Sequence, residues 1–119
     1  MRSIVMSATK TLEQFEFHQT LESTSGNAIV FFSSEECMSC RYWDKVLEQF
    51  AEQRPDISIF KVDAGLDQAL TEEFDVFHLP SLFLYHNGKF HSSLQSEANV
   101  NALENAIKQS LASPAEETP

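Results

Sequence analysis

Asn27-Ala28-Ile29-Val30-Phe31-Phe32-Ser33, followed after three residues by Cys37-Met38-Ser39-Cys40, is the stretch that decides the architecture. Its first part is an unbroken apolar run of strand length, rich in the residues that suit a sheet covered on both faces. From Cys40 onward the apolar residues recur as Cys40, Trp43, Val46, Leu47, Phe50 and Ala51, while Arg41, Lys45, Glu48 and Glu52 are left for water. That spacing is helical. The sequence therefore predicts a central strand running directly into an amphipathic helix, with both cysteines at the junction.

The pattern continues outward on both sides. Residues 57–62 read as a second strand, and Leu66, Leu70 and Phe74, four residues apart, as the inward stripe of a short helix. Ser81–His86 and Lys89–Leu94 flank Asn87-Gly88, a dipeptide that tolerates positive φ and closes a two-residue hairpin. Ser96 can cap a last helix whose buried stripe is Val100, Leu103, Ile107 and Leu111. At the front, Thr11-Leu12-Glu13-Gln14 has the form of a capping box, with Leu12, Phe15 and Leu21 expected to face inward. Residues 23–27, Ser-Thr-Ser-Gly-Asn, make a turn from helix to strand. The order, with a leading strand to which no residues are assigned, is strand, helix, strand, helix, strand, helix, hairpin, helix. It demands an α/β sandwich with a mixed central sheet.

A length of 119 residues suits one domain, and 42% apolar residues, ten Phe among them, suffice for one core without metals or disulfide staples. The domain is expected over residues 1–112. Residues 113–119, Ser-Pro-Ala-Glu-Glu-Thr-Pro, lack apolar anchors and are expected to be a disordered tail. Eighteen acidic residues against eight basic ones give a formal charge of -10. A field of that sign repels phosphate backbones and anionic lipid, so neither nucleic acid nor membrane is an expected partner. No run approaches the roughly 18 apolar residues of a spanning helix. At the start, Met1 to Ser7 is followed by Lys10 and Glu13, which interrupt any signal-like stretch. A cytoplasmic monomer is the expectation.

The chain contains two cysteines, Cys37 and Cys40, where the central strand gives way to the helix. A helix N-terminus presents unpaired N–H groups and a positive dipole end, so a thiolate is stabilised there. The nucleophile of disulfide exchange is a thiolate. Cys40 shares the buried stripe with Trp43, Leu47 and Phe50, whereas Cys37 sits at the open first turn. Cys37 is therefore expected to attack and Cys40 to resolve.

Other uses of the pair stay open on this reading. A structural disulfide would close so short a loop that it constrains the unfolded chain little. A zinc site needs two further ligands, for which His18, His78, His86 and His91 are present without a paired metal spacing. An iron–sulfur cluster shared by two copies, or an idle pair in a domain that works by binding, completes the set.

Three blocks in order make the chain resemble the thioredoxin family from about Thr11 to Leu111. They are Ile29-Val30-Phe31-Phe32 leading into Cys37-Met38-Ser39-Cys40-Arg41; Phe60-Lys61-Val62-Asp63; and residues 74–82, Phe-Asp-Val-Phe-His-Leu-Pro-Ser-Leu, ending in Asn87-Gly88-Lys89. The resemblance implies a thioredoxin-like three-layer sandwich and a thiol/disulfide oxidoreductase. It also implies a cis peptide bond before Pro80, with Leu79 and Pro80 beside the cysteines as part of a substrate groove. A proline at a strand start cannot donate to a ladder, which leaves neighbouring backbone groups free for an extended peptide. The partners implied are protein substrates with disulfides or thiols and an external electron donor such as a reductase, with no cofactor and no metal.

Departures from the family pattern surround the site. Phe31 stands where the family usually has a buried Asp that helps move the resolving cysteine's proton. Glu36 stands where a Trp normally precedes the first cysteine, and Met38-Ser39 replaces Gly-Pro. Lys45 replaces a Pro within the helix, and Ser96 a Gly before the last one. Glu35 and Glu36 oppose a thiolate at Cys37, and Arg41 favours it. Phe31, Glu36, Met38, Ser39 and Arg41 are thus the expected modulators, with His78 a candidate proton shuttle.

Overall fold

The computed structural model describes residues 9–119; Met1 to Ser7, read above for a leader, lies outside the described residues. Five strands form one sheet in the order β1-β3-β2-β4-β5. They are β1 (Thr9–Thr11), β2 (Asn27–Ser33), β3 (Ser58–Asp63), β4 (Ser81–His86) and β5 (Lys89–Leu94). Strands β1, β3 and β2 are mutually parallel, β4 is antiparallel to β2, and β5 is antiparallel to β4. The helices are α1 (Phe17–Glu22), α2 (Met38–Gln53), α3 (Gln68–Glu73) and α4 (Val100–Leu111). The fold is α/β with a mixed sheet between two helical layers.

The unbroken run in β2 is buried on both faces because successive side chains alternate between two cores. Ile29 and Phe31 point to the layer of α2 and α4, where they meet Leu47, Phe50, Leu103 and Ile107. Ala28, Val30 and Phe32 point the other way, toward Phe17, Leu21, Leu70 and Phe74. A ring cluster dominates that second core, with Phe74 between Phe17, Phe32 and Phe83 at centroid distances of 5.2–5.4 Å.

Asn87 (φ 50°) and Gly88 (φ 82°) close the β4–β5 hairpin with positive φ at both positions. The turn also docks on the rest of the chain, since Asn87 N–H donates to Gly26 O and Gly26 N–H to Asn87 Oδ1, each at 2.8 Å.

Three local expectations are corrected. Thr11 ends β1 and caps nothing; α1 starts later, with Glu16 at its N-cap, and Phe15 lies exposed although Leu12 and Leu21 are buried. Leu66, expected on the inward stripe of α3, lies exposed ahead of that helix, because Asp67 caps it, its side chain accepting from Leu70 N–H at 3.2 Å. Asn99, not Ser96, caps α4 by accepting from Ala102 N–H at 2.7 Å, while Ser96 Oγ donates to Glu97 O. At α3 and α4 a side chain nearer the first helical N–H groups makes the cap, whereas at α1 the Glu16 side chain makes no capping hydrogen bond.

Residues 113–119 form no helix or strand and are exposed. Glu116 nonetheless sits beside β5, where its N–H donates to His91 O at 2.6 Å and its Oε1 accepts from Ser93 N–H at 3.1 Å. Among the described residues, no helix is long and apolar enough to cross a membrane.

Candidate functional site

Strand β2 ends at Ser33, and the chain turns through residues 34–36, with Cys37 N–H donating to Ser34 O at 3.3 Å. That turn delivers Cys37 to the N-cap of α2 with extended backbone, where its Sγ accepts from Cys40 N–H at 3.1 Å. A sulfur thus occupies the place a capping hydroxyl or carboxylate takes elsewhere, and it receives one of the unpaired N–H groups of the helix start. Cys37 and Cys40 are joined as a disulfide with Cα atoms 5.2 Å apart.

The two sulfurs sit in different surroundings. Cys40 is 1% exposed, in the core cluster with Trp43 and Leu47. Cys37 is only partly buried, packed at the margin of the same cluster. Its Sγ lies 3.4 Å from Ser39 Oγ. Glu35 and Glu36 are exposed before it. Arg41 turns back over this loop, Nη2 donating to Glu35 O at 3.1 Å, so its charge is held on the N-terminal side of α2.

The Leu79–Pro80 peptide bond is cis, and both residues are half-buried. Pro80 lines a cleft of about 360 Å³ with Trp43, Phe77, His78, Ser81 and Ser96 among its walls. Trp43 joins that cleft to α2, three residues after Cys40. His78 is exposed, and its carbonyl accepts from Ser81 Oγ at 2.6 Å.

Two site features escaped the sequence reading. The first is Phe77, 83% exposed, which joins the expected modulator Met38, itself 76% exposed. They lie at the sheet end where β2 stops and β4 begins, as Phe32 pairs with Ser81 in register. An apolar residue with no periodic partner, just before Leu79-Pro80, was the available signal for Phe77. The second is an ion pair below the head of α2, Lys61 Nζ to Asp44 Oδ1 at 2.5 Å. Its members are 17 residues apart on a helix and a strand, so no local spacing betrays it.

The histidines considered as metal ligands occupy separate places. His18 Nε2 is 2.7 Å from Glu73 Oε2, His86 Nδ1 is 2.7 Å from Asn27 Oδ1, and His91 Nε2 is 2.7 Å from Ser110 O. Among the described residues, no three His, Cys, Asp or Glu side chains gather as a metal site.

The chain is 30% identical to thioredoxin-2 of Saccharomyces cerevisiae over 98 residues, covering 82% of this chain and 89% of that one. It is 34% identical to a thioredoxin of Chlamydia trachomatis over 65 residues, or 55% of this chain. That match spans 64% of the chlamydial protein, under two thirds of its length. Among solved structures, the human ERp44 zinc-bound form superposes with a TM-score of 0.74 over 85% of this chain and 30% of that chain, at 19% identity, a likeness of fold alone. The family model described as Thioredoxin matches residues 8–109, which takes in every element from β1 to most of α4. By that match, the chain belongs to the thioredoxin family.

Proposed function

We propose that this protein is a thiol/disulfide oxidoreductase that exchanges disulfides with protein substrates through Cys37 and Cys40. The observation that carries the reading is the unequal setting of the two sulfurs. One caps the helix at a partly open position and receives an N–H; the other is buried one turn along.

In the reduced protein, the Cys37 thiolate attacks one sulfur of a client disulfide. A Cys37–client bond forms, the client bond breaks, and the second client sulfur leaves with the electron pair. The Cys40 N–H and the helix dipole stabilise the attacking thiolate. Cys40 then loses its proton and attacks Cys37, forming the intramolecular disulfide and releasing the first client sulfur. Two electrons have passed to the client, and an external donor must return them. The cytoplasm is the proposed setting, because a reducing pool supplies such a donor.

Leu79 and Pro80 contribute one side of the client groove, with Met38 and Phe77 as exposed apolar contacts beside it. Glu36 and Arg41 tune the charge around Cys37, and the Ser39 hydroxyl modulates its sulfur by hydrogen bonding.

The test is trapping. Cys40→Ser should accumulate protein clients as covalent mixed disulfides on Cys37, read by non-reducing electrophoresis and mass spectrometry, whereas Cys37→Ser should trap almost none. Equal trapping by both variants would overturn the assigned roles. Absence of trapping by either, with partners held non-covalently, would replace the oxidoreductase by a binding module.

A further inference from the structure

The resolving step needs Cys40 to give up its proton in a place that water hardly reaches. Its sulfur belongs to a residue 1% exposed, and Phe31 of β2, in the same core cluster, is fully buried and offers no acceptor atom. A carboxylate nevertheless stands one helical turn away. Asp44 follows Cys40 by four residues on α2, the spacing that puts side chains on one ridge with β-carbons about 5–6 Å apart.

The Asp44 carboxylate is held in a particular way. Its Oδ1 is shut off from solvent and accepts no directed hydrogen bond, yet lies 2.5 Å from Lys61 Nζ. The Asp44 side chain as a whole is 35% exposed. That exposure therefore falls on its other atoms, and Oδ2 is the oxygen that water can reach. Lys61 is the register partner of Phe31 across β2 and β3. Strand and helix together thus place a lysine–carboxylate couple against the flank of the first turns of α2. The neighbouring charges are otherwise engaged or turned outward: Asp63 Oδ1 accepts from Gly65 and Leu66 N–H, Arg41 donates to Glu35 O, and Lys45 and Glu48 face solvent.

We infer that Asp44, held by Lys61, receives the Cys40 proton through one intervening water during resolution. The inference rests on the exchange chemistry proposed above. The balance is simple: the S–H proton passes by water to Asp44 Oδ2, and the Cys40 thiolate attacks Cys37. The Cys37–Cys40 bond forms as the Cys37–client bond breaks, and the client sulfur leaves with the electron pair. When the pair is reduced again, the same proton returns to Cys40. Lys61 is a positioning residue, fixing Oδ1 so that Oδ2 stays on the wet side.

The test uses the full reduced chain mixed rapidly with dithiobis(nitrobenzoate), whose coloured thiolate is released twice: first as Cys37 attacks, then as Cys40 resolves. Asp44→Asn should slow the second release roughly ten-fold or more, general-base assistance being commonly worth that much, and leave the first within about two-fold. Asp44→Glu should recover most of the loss, and Lys61→Met should slow only the second release. Asp63→Asn should change neither. Unchanged second release in Asp44→Asn, or equal slowing of both releases, would overturn the inference, as would slowing by Asp63→Asn alone. A wild-type chain that gives no first release would instead overturn the exchange reading, and this inference with it.

Discussion

Phe31 on β2 and Lys61 on β3 stand side by side in parallel register beneath the head of α2, a phenylalanine paired with a lysine. The ring is fully buried, while the ammonium leaves the strand to meet Asp44. Phe31→Ala should therefore lower stability by about 3–5 kcal/mol, the usual cost of emptying a buried Phe site, measured as a fall in urea midpoint at unchanged slope. Phe31→Asp should also destabilise, because it buries a charge, but it sets a carboxylate beside Lys61. In an Asp44→Asn background it should speed the second thiolate release.

Met38 and Phe77 leave most of their apolar surface open to solvent. Replacing both by Ala should leave the melting temperature nearly unchanged, as for most exposed positions. Reduction of a protein disulfide should slow by about ten-fold, the loss of two apolar contacts of under 1 kcal/mol each. Dithiobis(nitrobenzoate), too small to span the groove, should react at the wild-type rate. Equal losses on both substrates would place the defect at the sulfurs instead.

Burial in the sheet core, aided by the negative charge of Glu73, pushes the Tyr85 phenol up to about 12 from 10.0. The folded state favours the neutral phenol, so this contribution is whole below pH 10 and is lost as pH rises from about 10 toward 12. Wild-type stability should fall across that window by an amount on the order of 2 kcal/mol attributable to this group. Tyr85→Phe should flatten that part of the profile. Denaturant unfolding at a series of alkaline pH values, for both proteins, checks it.

Gly88 has a φ of +82°, and a β-carbon there would lie 2.7 Å from the carbonyl oxygen of Glu22. The obstacle is backbone, so nothing can swing aside. Gly88→Ala should cost about 1–3 kcal/mol and lower the melting temperature by several degrees, with no change in the ratio of the two thiolate releases. A neutral outcome would mean that the hairpin tip and the end of α1 can part freely.

Much of this was legible in the sequence because it depends on short-range pattern. The apolar run of β2, the helical stripe of α2 and Asn87-Gly88 each specify their own backbone, and consecutive elements then pack in few ways. The two sulfurs' unequal burial followed from which residues share the stripe. Helix starts were less legible: Thr11 and Ser96 are good capping residues, but tertiary packing gave those places to β1 and to a loop. Phe15 and Leu66 look apolar enough for a core and ended in loops, because the core was already filled by Leu12, Phe17 and Leu70. The Asp44–Lys61 couple joins a helix to a strand, and only the folded chain makes it visible.

Glu116 lends β5 a backbone donor and a side-chain acceptor, the carboxylate standing in for the carbonyl that a residue of a sixth strand would offer. Strand β5 is a border of the sheet, and an unclaimed border is where a second sheet can attach. The acidic segment after α4 therefore acts as a selvedge: it adds almost nothing to the interior, yet it occupies the hydrogen-bonding positions at His91 and Ser93 and brings like charge to the spot. Cutting the chain after Ala112 would leave the cysteines and both cores in place and expose a seam along which copies could be stitched edge to edge.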